Sequence, residues 1–156
     1  MPIHALAGHL VIITAPLTAL LALVYAWRPR NRAGMRTPLI VVSVLNMALA
    51  VWAETAGAAL LRQLRIAAEA ANQELPAITL AHAHQADRLS VASFALSVAV
   101  LAFVWRLLSP RRTRSRGTLV AACVLTACAL AIGWFTATTL SDALRSVWAH
   151  HTLWQG

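Results

Sequence analysis

The side chains best able to do chemistry are six histidines and five acids scattered through a chain of 156 residues. His4, His9, His82 and His84 are imidazoles that can ligate a transition metal or a haem iron, and Glu54, Asp87 and Asp142 are the carboxylates near enough in pattern to join them. Imidazoles from different helices, such as His9 with His82 or His84, suit the two axial positions of haem b, with Arg62, Arg65, Arg88 or Arg145 to pair its propionates. Trp52, Phe94, Trp134 and Phe135 would then cover the ring. His4, His9, Glu54, His82 and Asp87 alternatively offer a donor set for zinc or copper, although their spacing follows no established metal motif. A third reading has no cofactor: the polar residues fix the bundle or bind a partner, and the chain works as an accessory subunit. No nucleophile–base pair and no phosphate-binding loop is evident, so the sequence offers no enzymatic mechanism without a cofactor. Cys123 and Cys128 lie five apart on one helix, pointing in different directions, and are expected to stay unpaired.

The elements that must position these groups are four apolar blocks, at about 5–27, 38–62, 88–108 and 118–145. Each approaches or exceeds the roughly 20 residues needed to cross a bilayer core. The chain is 60% hydrophobic, with a mean hydropathy of +0.68, and the blocks are nearly free of charge rather than striped with it as soluble helices are. The expected fold is therefore an all-α integral membrane protein: a single domain of four transmembrane helices in an antiparallel up-down bundle, with an outer connection at 63–87. The basic leader of a cleavable signal is missing, so the first block is expected to remain as a helix.

The net charge of +8 comes from thirteen arginines and no lysine. Nine of them, Arg28, Arg30, Arg32, Arg36, Arg106, Arg111, Arg112, Arg114 and Arg116, fall where the first block meets the second and the third meets the fourth. Arginine-rich short loops remain cytoplasmic, which predicts an N-out, C-out protein of the bacterial plasma membrane whose basic loops touch anionic inner-leaflet lipid rather than nucleic acid. All six histidines then fall toward the outer side. Trp27 and Trp105 suit the inner interface, Trp148 and Trp154 the outer one. The small size of the chain also suggests a homo-oligomer or a subunit of a membrane complex.

Within the blocks, polar residues recur at helical spacing. Ser43, Met47, Ala50, Glu54 and Gly57 make one stripe, Ser90, Ser93 and Ser97 another, and Thr136, Thr139 and Asp142 a third. An acid inside an apolar block is expected to face the bundle interior, so these stripes predict a pocket in the outer half. Pro16 should kink the first helix, the second should continue past its apolar block toward Asn72, and the third is expected to start near Asp87.

The segment Met1-Pro-Ile-His4-Ala-Leu-Ala-Gly-His9, with the apolar run through Pro16, resembles the opening of bacterial membrane proteins of the domain of unknown function 2231 family. Glu54-Thr-Ala-Gly57 and His82-Ala-His-Gln-Ala-Asp87 are similar to the family's second-helix end and third-helix start. The likeness spans roughly residues 1–108, whereas the fourth helix fits in placement alone. It implies the same four-helix topology and sets His4, His9, His82 and Asp87 in the positions of the family's histidines and acid. It implies no reaction.

Overall fold

The computed structural model describes residues 3–110 and 115–148, with side chains for 4–110 and 115–145. Helices α1 (Ile3–Trp27), α2 (Arg32–Ala70), α3 (Ala77–Arg106) and α4 (Arg116–Trp148) make up nearly all of it, with a short 3₁₀ turn at Pro29–Asn31. All four are long and apolar enough to cross a membrane. Helix α1 packs against α2 and α4, and α3 packs against the same two, so α1 and α3 stand diagonally across a four-helix bundle.

Local sequence explains the element ends. The chain leaves α1 through Arg28-Pro29, where proline has no N–H to continue the ladder but fits the first turn of the next element. Asn72, the single described non-glycine residue with positive φ (51°), turns the chain after α2. Pro76 then sets up the start of α3. The third helix begins at Ala77 rather than near Asp87, and α2 continues to Ala70. The expected connection at 63–87 thus shrinks to 71–76. The cause is composition: Thr79–Asp87 is polar enough to look like a loop, yet residues 80–88 hold only helix-compatible residues, and His82, Ala83, Gln85 and Ala86 are partly buried.

Packing inside the bundle is fine-grained. Ala7, Val11, Ala15, Ala22 and Ala26 form the inward face of α1, and Ala121, Ala122 and Ala129 line α4 opposite. Such small side chains let backbones approach closely, which is how helices associate where hydrocarbon removes the hydrophobic drive. Large apolar residues point the other way: Val91 is 69% exposed, Trp134 68%, Leu130 67% and Ile13 65%. Of the largest interior side chains, Tyr25, Leu39, Leu108 and Leu125 lie toward the arginine end, with Leu96 and Ile132 farther along the bundle.

That end is fastened by polar contacts. Arg32 is buried and donates from Nε to the Tyr25 carbonyl (3.0 Å) and from Nη2 to the Ala26 carbonyl (2.8 Å). These are carbonyls that the end of α1 leaves without intrahelical partners. Tyr25 donates its hydroxyl to the Leu108 carbonyl at 2.9 Å, tying α1 to the end of α3. The Arg36 guanidinium lies 3.8 Å from the centre of the Trp105 ring. Trp27, half exposed as an interfacial indole would be, donates to Thr126 Oγ1 at 2.9 Å.

Candidate functional site

The opposite end gathers polar groups from all four helices. The first turn of α1 carries His4 on the inward face that Ala7 and Val11 continue. Its Nδ1 donates to the Ala53 carbonyl of α2 at 3.3 Å. A carbonyl can only accept, so in the neutral ring the proton sits on Nδ1 and Nε2 keeps its lone pair. The ring rests on Gly57, where an added Cβ would lie 2.9 Å from His4 Cε1 and 3.0 Å from Nδ1. A side chain there would have to displace the His4 ring, so glycine is favoured by the space its neighbour occupies and not by its backbone angles.

His82 enters from α3. It is half-buried, and its Nδ1 is shielded from solvent with no hydrogen-bond partner. It lies within electrostatic reach of His4 from the diagonal helix and of Asp142 from α4. Thr136 and Thr139, about two turns and one turn before Asp142, are buried with hydroxyls that also lack partners. On the α3–α4 seam Thr138 donates to Gln85 Oε1 at 3.4 Å. His82 of α3 and Asp142 of α4 thus lie within electrostatic reach of each other, and Thr136 and Thr139 are buried on the same helix as Asp142.

Other predicted residues go elsewhere. His9 is exposed and its Nδ1 donates to the Ala5 carbonyl of its own helix at 2.6 Å, so the structure does not bring it to His82. The reason is helix phase: His9 stands two residues from Ala7 and two from Val11, on the face opposite both. His84 is exposed, two residues out of phase with His82, and Asp87, Arg88, Arg62, Arg65 and Arg145 are exposed as well. Of the aromatics expected to cover a ring, Trp52, Phe94 and Trp134 face outward, while Phe135 packs against the core. His150, His151 and Trp154 lie outside the described residues. Among the described residues no three His, Cys, Asp or Glu side chains form a ligand set for a bare metal ion. Cys123 and Cys128 are free thiols.

Deeper in the bundle lies a second polar layer. Ser43, Asn46, Ser93, Ser97 and Thr18 are buried. Thr14 donates to Asn46 Oδ1 at 3.1 Å, and Ser97 donates to the Ser43 carbonyl at 3.0 Å, which locks α1, α2 and α3 together at this depth. Asn46 Nδ2 and the Ser43 and Ser93 hydroxyls make no hydrogen bond, an arrangement that buried water commonly completes. The inward stripe of α2 is thus Ser43, Asn46, Ala50 and Ala53, with Gly57 beneath His4. Asn46 joins it, and Glu54 does not. Glu54 is exposed at a groove between α2 and α3, a correction to the expectation that it faces the interior: the inward face passes through Ala50 and Ala53, and Glu54 follows one residue, or about 100°, later.

The site therefore offers one imidazole with a fixed tautomer, a second with an unpartnered buried nitrogen and a nearby carboxylate, drawn from three helices and resting on a glycine of the fourth. No protein-family model, curated protein or solved structure matches the chain.

Proposed function

We propose that the chain is a multi-pass protein of the bacterial plasma membrane, with its arginine-rich end cytoplasmic, that holds a redox cofactor between His4 and His82 for electron transfer. Haem b is the cofactor that best suits this pair. The observation that carries the reading is the hydrogen bond from His4 Nδ1 to the Ala53 carbonyl. Ligating histidines characteristically donate their second ring nitrogen to a carbonyl or carboxylate, which fixes the tautomer and raises the basicity of the other nitrogen. His4 and His82, on different helices, would be the residues to hold a haem iron, which would supply one-electron chemistry there. Zinc or copper asks for three or four protein donors, and among the described residues no three His, Cys, Asp or Glu side chains form such a set. The resemblance to the domain of unknown function 2231 family accords with this reading in topology and in the positions of His4 and His82.

A cofactor-free accessory subunit is the second reading, favoured by the interlocked polar layer at Thr14, Asn46, Ser43 and Ser97, which would hold the bundle together without any ligand. The two separate in one experiment: visible spectra of the protein purified in mild detergent, oxidised and dithionite-reduced, with metal analysis of the same sample. Haem predicts a Soret band with sharp reduced α and β bands, lost in His4→Ala and in His82→Ala but kept in His9→Ala. Preparations that stay colourless and metal-free after expression with added haem precursor sink the cofactor reading and leave the accessory one, and stoichiometric zinc or copper replaces haem with a metal ion.

A further inference from the structure

Glu54 is the one carboxylate within the first three apolar blocks, and it stands on the outside of the bundle. It precedes Arg62 by eight residues, about 12 Å along the helix, and among the described residues it has no ion pair or hydrogen bond. Around it, Met47, Ala50, Val51, Ser90, Val91, Phe94 and Ala95 line a groove of about 270 Å³. Val91 and Phe94 are 69% and 52% exposed, so the groove opens sideways, toward the hydrocarbon of a surrounding bilayer. A carboxylate facing hydrocarbon is costly unless something compensates its charge.

We propose that this groove is a lateral binding site for a lipophilic cation, an ammonium or related onium group on an apolar body. Three features select that chemistry. The apolar walls accept the body of a molecule already dissolved in the membrane, as small-molecule sites generally do with a few polar groups set among apolar ones. Glu54 supplies the opposite charge among these apolar walls. Phe94 lines the same groove, and aromatic faces attract cations, quaternary ones included. Ser90 adds a hydroxyl that can accept from a protonated amine. A neutral lipid tail would use the walls but gain nothing from the carboxylate. The proposal is independent of any cofactor at His4 and His82.

The test is calorimetric titration of the detergent-purified full chain with tetraphenylphosphonium. The wild-type protein should bind it saturably, Glu54→Gln should weaken binding at least tenfold, and Phe94→Leu should weaken it severalfold. Asp87→Asn, which removes an exposed carboxylate outside the groove, should leave it unchanged. Should Glu54→Gln fail to fold, Ala95→Trp fills the groove from an exposed position and should abolish binding while leaving the oligomeric state as it was. Absence of saturable binding overturns the proposal, and so does equal binding by wild type and Glu54→Gln. Dissociation of an oligomer by Glu54→Gln also overturns it, since the carboxylate would then be closing an interface between copies.

Discussion

At the scale of single residues, the His4–Gly57 contact makes a sharp prediction. Gly57→Ala places a methyl 2.9 Å from His4 Cε1, and the His4 ring, in the first turn of α1, is the group free to move. The expected result is displacement of the imidazole with a stability loss of about 1 kcal/mol, the scale of one hydrogen bond. Combined with His4→Ala it should add almost nothing, because both changes break the same contact. Thermal melts of the two single variants and the double variant check this, and additive losses would refute the coupling. At the other end, Tyr25→Phe should cost about 1 kcal/mol by removing the bond to the Leu108 carbonyl. Arg32→Ala should cost more, about 2–3 kcal/mol, because it strips two carbonyls of a charged donor. Denaturant-unfolding curves in detergent would rank the two. Half of the histidine site was legible in the sequence. Ala7, Val11, Ala15 and Ala22 mark the buried face of α1 by their small size and spacing, and His4 continues that series whereas His9 interrupts it. His9 lies deeper in the apolar run than His4, but depth says nothing about direction. The burial of Arg32 had no such signal, since four arginines cluster in Arg28–Arg36 and nothing local singles out the one that turns back to cap α1.

At the scale of elements, the unequal helix lengths matter most. Helix α1 has 25 residues and α2 has 39, about 37 and 58 Å by the rise per residue. Since the first turn of α1 meets α2 at Gly57, the last three turns of α2 run on beyond α1. Residues 58–70 are exposed almost throughout. A proline at Ala67 should therefore cost part of this overhang and leave the bundle folded. A proline at Ala50, buried among the other helices, should prevent accumulation of the protein, since an interior proline costs about 3 kcal/mol before any packing is lost. Circular dichroism and yield from membranes distinguish the two outcomes. The four long apolar blocks were readable directly, because a run of about 20 uncharged residues has few alternatives. Where helix continues into polar sequence the hydropathy signal fades while helical propensity does not, which is why the continuation of α2 could be anticipated from Leu60–Asn72 and the early start of α3 could not.

At the scale of the whole molecule, the separation of its two ends predicts its orientation. With Cys123 and Cys128 replaced by serine, a membrane-impermeant maleimide applied to intact spheroplasts should label Gln73→Cys in the α2–α3 turn and spare Arg30→Cys. The reverse pattern would invert the topology and put the histidine site in the cytoplasm. The alanine-lined interior and bulky exterior also bear on how this sequence can change over time. Positions facing outward, such as Ile13, Val91 and Leu130, can exchange freely among leucine, isoleucine, valine and phenylalanine, for lipid sets no shape to match. Ala15, Ala22 and Ala121, fully buried, can admit nothing larger without pushing two backbones apart. Natural variants of this chain should accordingly drift fastest on the apolar surface and hold their smallest residues fixed, so that the most constrained positions are those with the least side chain.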